Sequence, residues 1–480
     1  MSGQDEKAVT AEKVVSMTRL EGIRGNGIGR RSFMKGTAGA LLGGSALLGA
    51  PALLSGCGKE GGSGDDVLTI WHTEPTPVTQ KALDEIIQRY QAENSGLKIS
   101  AEPVAWADLV VKLRAALEAG NPPDIVQCEP MFVRTLQSQG LLRNVDEVVK
   151  SFADGDYRGF LEPMFRFEDG HYYGVPHAWG VDLISYRKDL YDRAGADPAQ
   201  ATWDDWKETL KKVTNPPDTY GLALAGKDTH NINEEVYMWV GSNGGRLFDA
   251  DGKPTFTERP VLEMLEFWRD LAKERIISPE WTSMDYLATL SAVAGGKAAS
   301  NLTFGRTAYT YQEEAPDLVA KDAFGVVPEK PVGPSGEDWI TQLDAEPWVV
   351  FKEASRADEA IDFLKFFYGR DNYRSYLTTV PIQLLPILES MSEDPEYQQN
   401  DDIKRWSSWV DTQKKVAESG RARPLMVTHW QDLKRPYLVQ IYASGVLADM
   451  VTSVAVDGED PGKAAANAQR KAEQIVADYE

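Results

Sequence analysis

The feature that most constrains the fold is a regular alternation of β-prone runs and helical stripes that begins after residue 66. The first β-prone run is followed by Thr76-Pro77, a helix-start signal, and then by apolar residues at helical spacing. The order β-α-β-α-β-α predicts an open parallel sheet covered by helices, so the fold class is α/β. The predicted strands and helices alternate at 67–71, 77–93, 97–104, 106–117, 124–128 and 131–139.

Polar side chains follow two of these strands. His72 and Glu74 come after the first strand, and Glu129 comes after the third. Since ligands of such sheets bind outside the carboxyl ends of the strands, we expect these side chains to border a binding cleft. Each acid has an alternative role as a solvated loop charge or as a charge near a helix N-terminus. Because neighbouring strand residues face opposite sides, we expect Trp71 in the core and His72 at the cleft.

A second α/β series begins beyond Pro176. A strand is predicted from Leu183, an amphipathic helix from Pro260, and further strands over 325–328 and 348–351. A chain of 480 residues is long enough for two α/β lobes, each with its own core. Core positions on helical stripes are predicted for several tryptophans, namely Trp203, Trp206 and Trp268.

The charge and cysteine content exclude several functions. A net charge of −22 disfavours the clustered Lys and Arg of a nucleic-acid surface. Two cysteines, Cys57 and Cys128, cannot build a disulfide framework or a multi-thiolate zinc site, and Cys128 is expected to be a small buried residue. The sequence has no P-loop, H-E-x-x-H or G-x-S-x-G motif. We therefore expect no nucleic-acid partner, no metal and no cofactor.

The N-terminal segment has the organisation of an export leader. Residues 1–35 carry seven basic and four acidic residues, and the next 21 residues, up to Cys57, are uncharged. A run of this length could be a permanent membrane span. Its many glycines and Pro51 make it only modestly hydrophobic, which is typical of an export signal.

Two short motifs flank this apolar run. Arg30 and Arg31 stand in a segment that looks like the twin-arginine export motif, although Gly29 replaces the usual Ser or Thr. Residues 54–57 resemble a lipobox ending at Cys57. Alone, the arginines could be a basic flank and the cysteine a small apolar residue. Together they predict export followed by lipidation of Cys57, which would anchor the folded body to a membrane.

Seven segments of the exported body match one known pattern in order. They lie at 68–72, 120–126, 173–176, 184–190, 202–206, 296–299 and 354–366. Together they resemble the extracellular solute-binding proteins of ABC importers, specifically the mainly sugar-binding family that includes maltose-binding proteins. The resemblance is collinear over about residues 66–476.

This resemblance implies a fold of the type II periplasmic-binding-protein kind. Two α/β lobes would be joined by a hinge that the chain crosses more than once, with the ligand cleft between them. The crossings are expected near Ala178 to Gly180 and near Leu343 to Trp348. The implied divisions are a leader over 1–56, a tether over 57–66, a first lobe over 67–178 plus about 345–388, and a second lobe over 179–344 plus about 389–480.

The candidate binding residues are chosen for sugar chemistry. Hydroxyls need hydrogen-bond donors and acceptors, and the C–H face of a sugar stacks on aromatic rings. Trp179 could instead pack between the lobes, Trp239 could lie on a buried helix face, and Arg306 could form a surface ion pair. The full set of candidates is His72, Glu74, Glu129, His177, Trp179, Trp239, Arg306, Asp344, Trp348 and Trp430.

The hinge segment and two departures from the family pattern affect the prediction of the binding site. If the hinge segment is extended, His177 and Trp179 lie on the same side of it. Residues 344–348 stand where the family often has small residues, and 301–306 stand where maltose-type relatives carry a stacking tryptophan. These departures leave the identity of the ligand open.

The function implied is capture of a mono- or oligosaccharide and its delivery to the membrane subunits of an ABC importer. We expect a monomeric, non-enzymatic receptor, exported and lipid-anchored to the outer face of the cytoplasmic membrane. The alternatives are a lipid-anchored glycoside hydrolase, which would also place carboxylates and aromatic rings around a sugar, and a receptor for a non-sugar or acidic solute.

Overall fold

The structure is a computed structural model that describes residues 67–303 and 306–479. The export motif at Arg30 and Arg31, the lipidation site at Cys57 and the tether lie outside the described residues. The strands are β1 (Val67–His72), β2 (Lys98–Pro103), β3 (Ile125–Gln127), β4 (Leu142–Arg143), β5 (Val175–Pro176), β6 (Gly180–Val181), β7 (Leu183–Arg187), β8 (Ser300–Thr303), β9 (Phe324–Val327), β10 (Thr341–Asp344), β11 (Pro347–Phe351) and β12 (Ala422–Arg423).

Helices outnumber strands in the described part of the chain. Three short 3-10 helices lie at Gly159–Leu161, Trp281–Ser283 and Trp430–Lys434. The α-helices are α1 (Pro77–Glu93), α2 (Trp106–Glu118), α3 (Pro130–Ser138), α4 (Asp146–Val149), α5 (Glu162–Phe165), α6 (Lys188–Ala194), α7 (Trp203–Val213), α8 (Thr229–Ser242), α9 (Arg259–Lys273), α10 (Tyr286–Ala294), α11 (Arg306–Glu314), α12 (Pro316–Ala320), α13 (Ala357–Phe367), α14 (Arg370–Leu377), α15 (Glu389–Ser392), α16 (Pro395–Gln399), α17 (Asp401–Arg405), α18 (Ser407–Glu418), α19 (Leu438–Ser444), α20 (Val446–Ala455) and α21 (Pro461–Tyr479).

The first lobe is built on a mixed sheet with the strand order β2-β1-β3-β11-β4, and β5 also pairs with β11. Strands β1 and β3 are parallel, with Ile70 opposite Ile125, as the βαβ pattern predicts. Strand β11 runs antiparallel to β3, with Trp348 opposite Gln127. The expectation of a purely parallel sheet is therefore wrong, because β11 enters the sheet on its return from the second lobe.

The second lobe contains an antiparallel sheet with the order β8-β7-β9. Its central strand pairs with both neighbours, so that Ile184 lies opposite Leu302 on one side and Val327 on the other. The α/β fold class and the two lobes are confirmed.

The hinge consists of two neighbouring chain segments that cross together. The first runs from β5 to β6 and the second from β10 to β11, and they pair on both sides of the crossing. Pro176 lies opposite Pro347 in the first sheet, and Gly180 lies opposite Asp344 in a third sheet with the order β12-β10-β6. A Cβ on Gly174 would lie 2.9 Å from Cβ of Pro347, so the approach of the two segments requires glycine there.

The apolar cores follow the predicted helical stripes. Trp203, Trp206 and Trp268 are at most 2% exposed, which confirms their core positions. Cys128 is free and fully buried, as expected of a small apolar residue. Trp71 was expected in the core but lies partly exposed beneath Nζ of Lys112, 4.4 Å from the ring centroid. The buried face of β1 carries Leu68, Ile70 and His72 instead.

Among the described residues, no single helix is both long and apolar enough to cross a membrane. The bent pair Leu438–Ser444 and Val446–Ala455 reaches the required length and composition together. Most of its apolar side chains, including Leu447 and Val451, are buried in the second lobe.

Candidate functional site

A buried polar cluster joins the two lobes. Glu74 follows β1 in the first lobe, His177 follows β5 at the hinge, and Arg306 begins α11 in the second lobe. Nε2 of His177 lies 3.3 Å from Oε1 of Glu74, and Nη2 of Arg306 lies 3.4 Å from Oε2. All three side chains are at most 4% exposed. Three of the predicted site residues, distant in sequence, are therefore in direct contact.

Gln127 and Glu346 complete this cluster. The side-chain amide of Gln127, at the end of β3, donates to Glu74 at 3.4 Å and also to the Glu346 carboxylate. Its carbonyl oxygen accepts from the backbone N–H of Thr73 at 3.0 Å, which holds the loop after β1 in place. The amide of Gln127 thus links the carboxyl groups of Glu74 and Glu346.

The electrostatics of the cluster favour an ionised Glu74. Burial acts to raise the pKa of Glu74, but His177, Arg306 and Gln127 together lower it to about 2. The Glu346 carboxyl has the opposite shift: burial, with Asp344 and Glu129 nearby, raises its pKa well above the usual range. Burial also lowers the pKa of His72, whose Nδ1 has no hydrogen-bond partner among the described residues.

Glu74, His177 and Glu346 could be considered as metal ligands, because one ligand atom from each lies within 4.8 Å of the others. Arg306 already supplies a positive charge at Glu74, where it would repel a cation. The donor set therefore suits hydrogen bonding to a polar solute better than metal binding.

A second polar group lies around His230 on α8. Nε2 of His230 is 3.3 Å from Oε1 of Glu234, which also accepts from the amide of Gln342 at 2.8 Å. Burial opposes the charged imidazolium, but Glu234, Glu129 and Asp344 raise the pKa of His230 to about 9. Burial raises the pKa of Glu129 to about 8 and that of Asp344 to about 6. These side chains come from both lobes.

Aromatic rings border this second group. Trp106, at the start of α2 in the first lobe, stacks on the His230 ring at 5.7 Å with an interplanar angle of 2°. Tyr442 of α19 contacts His230 from another side, and its hydroxyl lies 3.2 Å from Nδ1. The region therefore combines carboxyls, amides and ring faces, the groups that bind a polyhydroxylated solute.

Comparison with known proteins identifies the family. A profile of the bacterial extracellular solute-binding protein family matches residues 75–373. The chain belongs to this family. A lactose-binding protein of Rhizobium radiobacter is 28% identical over 337 residues, which cover 68% of this chain and 75% of that protein.

Solved structures of solute-binding proteins share the fold. One from Agrobacterium radiobacter K84, in complex with ribitol, superimposes with a TM-score of 0.72 at 19% identity and covers 85% of this chain and 98% of that one. One from Thermotoga lettingae TMO, bound with α-D-tagatose, has a TM-score of 0.69 at 20% identity and covers 86% and 100%. The type II periplasmic-binding-protein fold expected from the resemblance is confirmed.

The remaining predicted site residues of this solute-binding protein differ in how far they are exposed to solvent. Trp348 is 2% exposed beside the cluster, with its ring 5.9 Å from that of His177. Trp430 begins a 3-10 helix and is partly exposed. Trp239 is 1% exposed among Trp203, Trp206 and Phe267, which is the buried helix face considered as its alternative.

His177 and Trp179 do not share a surface. Trp179 packs on Phe160, and its indole N–H donates to the carbonyl of Pro386 at 2.8 Å, whereas His177 contacts Glu74. The prediction from strand alternation is wrong here, because the chain bends at His177 and alternation holds only in extended segments.

Several site residues were not predicted. Gln127 lies one residue before the end of the predicted strand over 124–128, and it could have been found by the rule that singled out Glu129. His230 and Glu234 are four residues apart on one helix, a spacing that places them on one face. No sequence pattern indicates Glu346 or Trp106 as a site residue. The folding of the hinge brings Glu346 to the site, and the approach of the two lobes brings Trp106 there.

Proposed function

We propose that this protein is the carbohydrate receptor of an ABC importer. It would capture a mono- or oligosaccharide between the lobes and deliver it to the membrane subunits. The observation that carries this proposal is the contact of Glu74 from the first lobe with Arg306 from the second, inside a buried and hydrogen-bonding cluster. Relatives named for binding lactose and arabino-oligosaccharides support the carbohydrate class.

The mechanism is ligand-stabilised closure. We assign the first lobe to 67–178 with about 345–388, and the second to 179–344 with about 389–480. The Glu74–Arg306 ion pair and the Trp106–His230 stack require both lobes, so they exist only in the closed form. A solute that touches both lobes shifts the population toward closure and buries itself in doing so.

The remaining parts of the proposal concern location and partners. The twin-arginine motif at Arg30 and Arg31 would direct export, and a lipid on Cys57 would hold the body at the outer face of the cytoplasmic membrane. The closed form would present surface from both lobes to the importer subunits. We propose a monomer that releases its sugar chemically unchanged, and in that respect it differs from a glycoside hydrolase.

Small-angle scattering tests the mechanism directly. The full chain is screened by thermal shift against neutral sugars, their amino and N-acetylamino forms, sugar acids and short oligosaccharides. A sugar at 100 times its Kd is expected to stabilise the fold by about 2.7 kcal/mol. The sugar with the largest shift is then expected to lower the radius of gyration. Tight binding without compaction would contradict closure, and release of a hydrolysis product would contradict a receptor without catalysis.

A further inference from the structure

A small polar cavity in the second lobe lies beside the cluster around His230. Asp182, between β6 and β7, lines it together with Asn231, Glu234 and Glu235 of α8. Its volume is about 20 Å³, which admits a group of the size of one water molecule but no sugar ring. Three carboxyl groups thus surround a space that fits one small substituent of a larger solute.

Asn231, Tyr286 and Thr289 bring donor groups to the wall of the cavity, but one carboxyl oxygen there has no hydrogen bond. Oδ1 of Asp182, a residue 6% exposed, accepts no hydrogen bond from any residue that the structure describes. The other two carboxylates have partners: Glu234 accepts from Asn231 at 3.2 Å, and Glu235 accepts from the Trp239 indole at 2.8 Å. A buried carboxyl oxygen without a hydrogen-bond partner is costly, so a ligand that supplies a donor gains affinity.

Two cationic groups lie near the cavity, but neither donates a hydrogen bond to Asp182. His230, whose pKa is raised to about 9, contacts Glu234 instead. Lys330 is 1% exposed and favours ionisation of Asp182 and Glu235, but its Nζ makes no hydrogen bond within the described part of the chain. Burial, with Glu234 and Asp344 nearby, raises the pKa of Asp182 to about 8 in spite of Lys330. The pKa of Glu235 is raised well above its usual range, again chiefly by burial. Burial thus disfavours the ionised form of both carboxyls, and a cation in the cavity would favour it.

We infer that the captured solute is a basic sugar whose protonated amine occupies this cavity, between Asp182 and the carboxyls of Glu234 and Glu235. An ammonium group is small enough for the cavity, donates three hydrogen bonds and carries a positive charge that the carboxyls attract. This inference rests on the proposed carbohydrate function and narrows its substrate class to amino sugars and oligosaccharides that contain them.

Matched ligands test the inference. Glucosamine, galactosamine, mannosamine and glucosamine oligomers are compared by calorimetry with their N-acetyl and hydroxyl counterparts, using the full chain. At least one amine form is expected to bind about tenfold more tightly than both of its counterparts, because a charged hydrogen bond replaces a neutral one. Its binding at pH 7 is expected to release protons, measured in two buffers of different ionisation enthalpy, because the ammonium lowers the raised pKa of Asp182.

Variants locate the amine. Asp182→Asn is expected to lower affinity for the amine form about tenfold and to leave the hydroxyl form within twofold, and Glu235→Gln is expected to act in the same direction. Asp218→Asn, the same substitution at an exposed aspartate, serves as the matched control for Asp182→Asn. A neutral sugar that binds as tightly as its amine form in the native chain would overturn the inference and leave the carbohydrate function intact. If no sugar of any form binds, the proposed function itself fails.

Discussion

Arg306→Ala is expected to lower affinity for the best-binding sugar of the panel about hundredfold, or ~3 kcal/mol. The guanidinium is 3% exposed and 3.4 Å from the Glu74 carboxylate, which belongs to the other lobe. Its removal leaves Glu74 buried without that cation whenever the lobes close. Removing one partner of a buried ion pair is more costly than removing both, because the other charge stays unpaired.

The controls separate closure from folding. Arg193→Ala removes an exposed arginine 3.8 Å from Asp189 and is expected to change affinity little. Unliganded Arg306→Ala is expected to unfold in urea like the native chain, since the open form lacks the ion pair. The double variant Glu74→Gln with Arg306→Met is expected to regain part of the sugar-induced compaction. Native affinity in Arg306→Ala would contradict a role for the cross-lobe pair.

Trp239→Ala is expected to lower the free energy of unfolding of the second lobe by about 3–5 kcal/mol. Trp239 is 1% exposed and packs on Trp203, Trp206 and Phe267 with ring centroids 5.4–5.9 Å apart. Alanine would leave a cavity that this aromatic cluster cannot close. It would also leave Glu235 without the indole N–H that donates to it at 2.8 Å.

Urea unfolding monitored by circular dichroism measures this loss. Trp239→Phe retains most of the packing and is expected to cost about half as much or less. Val111→Ala, at a residue 69% exposed, is the surface control and is expected to stay within about 0.5 kcal/mol of the native chain. If Trp239 contacted ligand rather than the core, Trp239→Ala would lower affinity while leaving the unfolding midpoint unchanged.

Much of the fold could be predicted from local pattern. Apolar spacing and the Thr76-Pro77 start placed α1 correctly, and the predicted β1 and β3 form the parallel pair at the centre of the first sheet. These elements depend on periodicities of two and 3.6 residues, which the sequence displays directly. The antiparallel β11 could not be derived in this way, because its direction depends on the path of the chain through the other lobe.

The binding site was less predictable than the fold, because several of its contacts form between the two lobes. Strand ends indicated Glu74 and Glu129, since the carboxyl edge of a parallel sheet follows from topology. That Arg306 would contact Glu74, and Trp106 would stack on His230, depends on closure of two lobes that local sequence does not describe. Trp179 and Trp239 were predicted for the site because aromatic rings suit a sugar. In the structure both rings pack against other side chains instead.

The sequence by itself determined the α/β class, because periodicity and strand order are properties of the chain alone. The hinge crossings and the solute-binding family followed from the resemblance of its ordered motifs to a known family. Only the tertiary structure decided which carboxyls meet, which of them have donors and which stay without one. Burial and proximity set those properties, and both arise when segments distant in sequence come together around Glu74 and Asp182.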